Sequence, residues 1–343
     1  MRQQLRGDHY VEQQLGLDIW DWPQDKLIAL SVDLAYRLGL HRILACSHHT
    51  FLRYCSALAD RYVPSNTYHN FTHATDVLLV LCHLLLECGG ATRMTELEVA
   101  ASYLAAQAHD VGHPGTNNQY QIAAKTPFGT KYGEHATLET YSADLGQELL
   151  EQYHVLSNVP AQDRSILLSV FRSTILGTDM AQHQATCSAL QRLPANFYTY
   201  NYPLKQPRLT NGDSFPTTHA LSLPALLVHA ADISGPSRTN VAIWLKRSLA
   251  VTREFVHQGD RERENCLPVT ASFDRRVLQP EGLEGFQRRE IEFTSLVVLP
   301  YYLDLERVWN AIRPLRVAIE TNLREWRQLD KTNVTNLWIG IFA

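Results

Sequence analysis

The stretch TELEVAASYLAAQAHD, residues 95–110, has small or apolar residues on most sides of a 3.6-residue period. A helix of that composition is buried among other helices. Thr95 and Glu98 form a capping-box pattern, which predicts where this helix begins. The stretch ends on His109 and Asp110. Because a buried carboxylate is tolerated when it is paired or binds a metal, this helix end is a candidate site.

The same three- and four-residue spacing recurs along the chain, whereas two-residue alternation is scarce. It covers residues 34–44, 77–86, 97–108, 166–175 and 317–326. Pro224 precedes ALLVHAAD (225–232), which is typical of a first helical turn. Clusters of Gly and Pro predict loops at residues 112–115, 196–216 and 259–285. The sequence therefore predicts an all-α fold.

The chain has 343 residues, 45% hydrophobic and 19% charged, with a net charge of −4. No basic stripe is present, so nucleic acid is not expected as a partner. The longest apolar run, residues 77–86, is about half the ~20 residues that span a bilayer. The N-terminal residues have no signal-peptide core, and the six cysteines form no C-x-x-C pair. We therefore expect a cytoplasmic protein with reduced thiols and no membrane span.

Six of the 15 histidines fall between positions 69 and 135. His69 and His73 stand four apart, so a helical segment would project both from one face. Taken alone this spacing is weak evidence, since satisfied core or surface histidines give the same pattern.

His109 and Asp110 are followed by His113 in a Gly-rich turn, and Asp232 ends a second apolar helix. Imidazole with carboxylate suits Zn²⁺, and carboxylate with water suits Mg²⁺ or Mn²⁺. Two His and two Asp can hold two ions with one Asp between them, the arrangement that serves in-line displacement at phosphorus. The residues predict hydrolysis of a phosphate ester, with a metal-free polar network as the alternative.

Several motifs occur in a fixed order along the chain. They are YHNFTHA (68–74), HDVGHPGTNNQ (109–119), LGTDMAQH (176–183), HAADISGP (229–236), QGDRER (258–263) and REW (324–326). Together they resemble the catalytic domain of the class I 3′,5′-cyclic-nucleotide phosphodiesterases. The likeness runs from Tyr54 to Trp326.

The resemblance implies a compact domain of about sixteen helices with a deep pocket over two metals, zinc and magnesium, with manganese possible at the second site. His73, His109, Asp110 and Asp232 fall on the zinc ligands, and Asp110 also touches the second ion. A hydroxide bridging the ions would attack phosphorus, and His69 would protonate the departing 3′ oxygen. The implied reaction converts cyclic AMP, cyclic GMP or both to 5′-monophosphates and so ends cyclic-nucleotide signalling.

Other residues of this sequence match further functional positions of the family. Three match residues that orient the ligands and water: His113, Glu139 and Asp179. Six match substrate-binding positions: Tyr68, Asn118, Ile233, Val251, Glu290 and Phe293. Phe293 would stack on the base, with Ile233 and Val251 on the opposite wall.

Four residues depart from the family pattern. Tyr141 and Ser142 replace paired histidines, which either alters the water network near the second metal or reflects plain surface substitution. Gly235 replaces an Asn of the base pocket. Glu290 stands where the family has a base-reading Gln; an ionised Glu only accepts hydrogen bonds, which favours guanine or relaxed selectivity unless burial keeps it protonated.

We expect one catalytic domain over residues 1–343, with an N-terminal helical part (1–53), a motif core (54–326) and a tail (327–343), as a piece of a longer chain with regulatory domains. Trp244 and Trp326 are expected in the core, and residues 259–263 in a salt-bridged loop. Two other functions stay open. One is a non-catalytic cyclic-nucleotide sensor, and the other is a related His–Asp metal phosphohydrolase acting on another nucleotide.

Overall fold

The structure is a computed structural model that describes residues 15–200, 221–328 and 338–342, and within them the regular elements are helical, as predicted. In chain order the α-helices are α1 (Gln24–Arg37), α2 (Leu40–Ile43), α3 (His48–Ala59), α4 (Phe71–Leu86), α5 (Glu96–Ala108), α6 (Asn118–Ala123), α7 (Pro127–Tyr132), α8 (Thr137–Gln152), α9 (Ala161–Leu176), α10 (His183–Arg192), α11 (Phe197–Tyr200), α12 (Leu223–Asp232), α13 (Val241–Glu264), α14 (Arg275–Phe293), α15 (Leu299–Val308) and α16 (Arg313–Arg327).

Helices α4, α5, α9 and α12 pack together at the centre of the molecule. Every residue of α5 from Val99 onward is buried, as its composition predicts. The capping box of Thr95 and Glu98 is present at the start of α5, with both reciprocal hydrogen bonds made. Pro224 lies in the first turn of α12, also as predicted. The periodicity therefore locates the central helices correctly.

The helix ends determine where the polar residues meet. The side chain of Asn70 accepts hydrogen bonds from the backbone of Thr72 and His73 and so caps α4, which begins at Phe71. His73 is therefore in the first turn, while His69 precedes the helix. The two histidines do not project from one face of a helix, because the Asn70 cap sets the start of α4 between them.

The predicted loop at residues 259–285 is wrong for most of its length. Helix α13 continues to Glu264 and α14 begins at Arg275. Gly259 lies inside α13 because a Cβ there would come within 2.3 Å of the Phe273 carbonyl oxygen, so this glycine serves a close approach and not a turn. The glycine at 282, with φ of +62°, marks a kink inside α14.

Residues 259–263 accordingly lie on a helix and not in a loop, although they form ion pairs as expected. Arg263 pairs with Asp274 at 2.7 Å, and Asp260 pairs with Arg275 at 2.6 Å. These pairs join the end of α13 to the start of α14.

Two other predicted loops have different outcomes. In the 112–115 turn, Gly112 and Gly115 have φ of +76° and +73°, so the turn is confirmed. Of the predicted loop at 196–216, residues 197–200 form α11, and residues 201–216 lie outside the described ranges.

The buried side chains form one cluster that includes Trp244 and Trp326, as expected. Their rings stack with centroids 4.1 Å apart. Within the described ranges, no helix has both the length and the apolarity to span a bilayer.

Candidate active site

Four side chains from three helix ends form one group of metal donors, which we call the metal-donor cluster: His73, His109, Asp110 and Asp232. Asp232 Oδ1 lies 3.0 Å from His73 Nε2 and 3.4 Å from His109 Nε2. Asp110 Oδ2 lies 3.1 Å from His109 Nε2 and 3.5 Å from His73 Nε2. His73, His109 and Asp232 place ligand atoms within 4.8 Å of one another, and could hold a metal ion.

The hydrogen bonds around the cluster orient its ligand atoms toward one another. His109 Nδ1 lies 2.9 Å from the Ala106 carbonyl oxygen, to which it donates. Nε2 is then the atom that faces the carboxylates, and it lies 3.3 Å from His73 Nε2. Burial lowers the pKa of His109, but the two carboxylates outweigh it and raise this pKa, and a cation bound there would take the place of the Nε2 proton. Lone pairs and carboxylate oxygens that converge in this way fit a cation.

The carboxylates of the cluster are held in their charged form. Burial raises the pKa of Asp110 and of Asp232, but the imidazole of His109 lowers both pKa values below the usual range for Asp. The side chains of the two acids are 18% and 19% exposed, whereas His109 is 1% exposed. The acids therefore form the open side of the cluster.

A second group adjoins the first and consists of His69, His113 and Glu254. His69 Nδ1 is hydrogen-bonded to Glu254 Oε1. Glu254 Oε2 accepts from the backbone N–H of Tyr68 at 3.0 Å and of His69 at 3.1 Å. The carboxylate thus fixes both the imidazole and its backbone, which leaves Nε2 as the free nitrogen of His69.

Glu254 also determines the charge of His69. Burial lowers the pKa of His69, but the charges of Glu254 and Asp110 outweigh it and raise this pKa to about 9. Burial likewise raises the pKa of Glu254, while His69 lowers it to about 2. At neutral pH the pair is an imidazolium and a carboxylate, so His69 can donate a proton.

The His113 ring lies beside the His69 ring, tilted by 31°, and does not share its charge. The ring centroids are 4.2 Å apart, and His113 Nδ1 accepts from the backbone N–H of Gly115 at 3.1 Å. Burial and the nearby His69 lower the pKa of His113 to about 4. A neutral His113 and a charged His69 therefore lie side by side.

Asn118 positions Glu139, on which the charges of Asp179 and Asp110 act. Asn118 donates to Glu139 Oε2 at 2.9 Å and accepts from the Leu138 backbone N–H at 2.9 Å. Burial raises the pKa of Glu139 to about 7, with the charge of Asp179 adding to the effect and the Asn118 hydrogen bond opposing it. Asn118 lies outside the cavity lining and contacts Glu139 instead.

The Asp179 side chain caps the turn of residues 180–182, accepting from the Ala181 backbone N–H at 3.0 Å. Its charge acts on Glu139, so these two predicted residues are neighbours.

A cavity of about 360 Å³, the site cavity, opens beside both groups. Its walls include His69 and Asp232 together with five of the six predicted substrate-binding residues. These five are Tyr68, Ile233, Val251, Glu290 and Phe293. A cavity of this volume is at the lower end of those that hold small ligands, about 300–1,000 Å³.

Glu290 is held at the cavity wall by two donors on α13. Ser248 Oγ donates to Glu290 Oε2 at 2.6 Å, and Trp244 Nε1 donates to the same oxygen at 3.3 Å. Phe293, one turn further along α14, is 42% exposed. An aromatic ring so exposed beside a cavity is available for stacking on a ligand.

The departures from the family pattern have structural reasons. Ser142 is 1% exposed and donates to the Val111 carbonyl oxygen, and the Tyr141 ring packs where a Cβ on Gly112 would come within 2.6 Å of it. Plain surface substitution is therefore wrong for both residues. Gly235 lines the cavity with room for a larger side chain, since a Cβ there would only reach ordinary contact with Trp244.

Sequence reasoning missed Glu254 and the partners of Glu290. In α13, Val251 and Glu254 are three residues apart and so face the same side of the helix. Glu254 is among the buried residues of α13, but no spacing in the sequence marks it. Trp244 was expected only in the core, yet its indole N–H also reaches the cavity wall.

Comparison with known proteins adds to this geometry. The family model for 3′5′-cyclic nucleotide phosphodiesterase matches residues 68–319. The mouse high affinity cGMP-specific 3′,5′-cyclic phosphodiesterase 9A is 24% identical over 322 residues, which are 91% of this chain and 55% of that protein. The dual 3′,5′-cyclic-AMP and -GMP phosphodiesterase 11A of Takifugu rubripes is 26% identical over 92% of this chain and 33% of its own. The chain spans about half or less of these relatives.

Solved structures share the fold. The phosphodiesterase domain of the RhoPDE fusion protein from the choanoflagellate Salpingoeca rosetta aligns with a TM-score of 0.78 and 24% identity, over 92% of this chain and 94% of that one. LmjPDEB1 in complex with IBMX aligns with a TM-score of 0.79 and 23% identity, over 92% and 91% of the two chains. The helical architecture is therefore that of phosphodiesterase domains.

Proposed function

The chain belongs to the 3′5′-cyclic nucleotide phosphodiesterase family, and on that premise we propose that it hydrolyses a 3′,5′-cyclic nucleotide to the nucleoside 5′-monophosphate. One observation carries the proposal. The metal-donor cluster and the pair of His69 with Glu254 adjoin each other, and His69 and Asp232 line the same cavity. A phosphate ester in this cavity would meet a metal site and a proton donor together.

The donor set fits divalent ions. The Nε2 atoms of two histidines suit zinc, and carboxylate oxygens suit magnesium or manganese. We propose that the metal-donor cluster holds Zn²⁺ and that Asp110 also contacts Mg²⁺, with Mn²⁺ as a substitute. Bound divalent ions supply an acidic water and positive charge near the phosphoryl oxygens.

His69 is the proton donor in the proposed reaction. As the oxygen of a water bonds to phosphorus, the P–O3′ bond breaks and its electron pair goes to O3′. The proton on His69 Nε2 moves to that oxygen, because an alkoxide is a poor leaving group at neutral pH. The attacking water releases one proton to solvent, and His69 takes a proton back from solvent before the next turnover. Glu254 keeps His69 charged and oriented for this transfer.

The remaining predicted residues take supporting parts in this proposal. His113 supports the His69 ring, and Glu139 with Asp179 supplies carboxylates whose charges act near Asp110. Phe293 stacks on the base, with Ile233 and Val251 across the cavity.

We also propose a cytoplasmic location. Its support is that all six cysteines are free, and all but Cys266 are buried or partly buried, as is usual in a reducing compartment. Fractionation of cells that produce the protein tests this point.

Hydrolysis in ¹⁸O-labelled water tests the proposed reaction. One ¹⁸O atom is expected in the phosphate of the 5′-monophosphate, as mass spectrometry of the product would detect. A product labelled on the ribose would contradict attack at phosphorus. Binding of cyclic nucleotide without turnover, in protein that holds its metals, would favour the sensor.

A further inference from the structure

Glu290 faces the site cavity from α14, three residues before Phe293 and therefore on the same side of that helix. It is the one carboxylate lining the cavity apart from the metal-donor residue Asp232, within the residues that the structure describes. One turn of α14 thus supplies both Phe293, which can stack on the flat face of a ligand, and Glu290, which can accept hydrogen bonds from its edge.

The carboxylate has a fixed orientation. Ser248 Oγ and Trp244 Nε1 both donate to Oε2, and the Trp244 indole cannot turn because it stacks on the buried Trp326. Indole N–H is a donor only, so Oε2 serves as an acceptor. In the described ranges, the hydrogen bonds to the Glu290 side chain all end on Oε2, which leaves Oε1 for a ligand.

We propose that Glu290 accepts hydrogen bonds from the edge of the base and so selects guanine over adenine. This inference rests on the proposed function and assigns its substrate. Guanine presents N1–H beside a 2-amino group, both donors, whereas adenine presents a bare N1 acceptor beside its 6-amino group. A carboxylate satisfies the first edge and repels the adenine N1 lone pair.

Opposing effects act on the protonation of Glu290. Hydrogen bonds donated to a carboxylate stabilise the anion, and Ser248 and Trp244 provide two. Burial has the largest effect and raises the pKa of Glu290 above the ordinary value for Glu, although these hydrogen bonds and the adjacent Arg289 partly oppose it. Because a carboxyl ionises above its pKa, the assays are run at pH 8.

Three cyclic nucleotides separate the contributions of the two donor groups. Cyclic IMP keeps N1–H and lacks the 2-amino group, so kcat/KM at pH 8 is expected to fall in the order cyclic GMP, cyclic IMP, cyclic AMP. Glu290→Gln should reduce the cyclic GMP to cyclic AMP ratio by about 10- to 100-fold, because an amide can serve either base. Glu292→Gln, an exposed residue of the same helix, is the matched control and should leave the ratio unchanged.

A second variant tests the hydrogen bonds that orient the Glu290 carboxylate. Ser248→Ala removes one donor to Oε2 and should reduce the ratio by about 3- to 10-fold without abolishing turnover. A wild-type preference for cyclic AMP, or an equal ratio in wild type and Glu290→Gln, would overturn the inference.

Failure of the proposed function gives a different result, namely no hydrolysis of any of the three nucleotides. In that case equilibrium binding of cyclic GMP and cyclic AMP to wild type and Glu290→Gln decides the inference by itself. Tighter binding of cyclic GMP that is lost in the variant supports it, and equal or undetectable binding overturns it.

Discussion

The Nδ1 atom of His69 is hydrogen-bonded to Oε1 of Glu254, a residue 185 positions later on α13. The side chains are 23% and 5% exposed, so the ion pair is largely screened from water. The other oxygen of Glu254 holds the backbone of His69. A carboxylate in this position controls both the direction of the imidazole and its proton.

Glu254→Gln tests that control. Removing the negative charge lowers the pKa of His69, so the imidazole loses its proton at lower pH. Wild-type activity should persist up to about pH 9 and decline above it, because the donor is protonated only below its pKa. In the variant the alkaline limb of the pH profile should move toward pH 6.5, the ordinary pKa of His, and kcat at pH 8 should fall about 10- to 100-fold.

The pH profile of kcat from about pH 6 to about pH 10 measures this shift. Glu264→Gln, an exposed residue of the same helix, is the control. An alkaline limb that does not move in Glu254→Gln would refute the pairing of Glu254 with His69.

His69 and His73 should separate in their effects. His69→Ala removes the proton donor, so kcat should fall about 10²- to 10⁴-fold with metal content unchanged. His73→Ala removes a donor atom of the metal-donor cluster, so metal content should fall as well. Metal analysis of both purified variants checks this, and loss of zinc from His69→Ala would make His69 a ligand.

A buried ion network links α4 to α13. Asp76 on α4 pairs with Arg247 at 2.6 Å and with Arg238 at 3.2 Å, and these side chains are nearly inaccessible. Asp76→Ala removes the carboxylate that pairs with both buried cations and should lower the free energy of unfolding by about 3–5 kcal/mol. The exposed pair of Asp33 and Arg37 is the control, since Asp33→Ala should cost less than about 1 kcal/mol. Equal urea midpoints for the two variants would contradict this.

Gly112 lies between the metal-donor cluster and Tyr141. Its φ is +76°, and a Cβ would come within 2.6 Å of the Tyr141 ring. Gly112→Ala should lower the free energy of unfolding by about 1–3 kcal/mol, and adding Tyr141→Ala should relieve the clash while the backbone strain persists. A double-mutant cycle in urea measures the coupling, and additive effects would rule out the contact.

Local signals explain what the sequence reveals about this fold. Buried helix α5 has its own cap and its own composition, so its start and end are readable within sixteen residues. Asp110 and Asp232 could be identified because each charge ends an apolar helix. The ligand and acid assignments carried by the family resemblance stay predictions, although the structure brings these side chains together.

Other features depend on contacts between distant parts of the chain. Glu254 has no local signature, because its role comes from His69 in another helix region. Gly259 suggested a loop, yet its reason is the Phe273 backbone against α13. Such close approaches and long-range hydrogen bonds form only when the helices pack, and periodicity carries no information about them.

The central claim is tested most directly by measuring hydrolysis of cyclic AMP and cyclic GMP side by side with Mg²⁺ present, using Asp110→Ala as the control. We expect conversion of at least one nucleotide to its 5′-monophosphate, and loss of that activity in Asp110→Ala together with its metals. No conversion of either nucleotide by wild-type protein that holds its metals would contradict the claim.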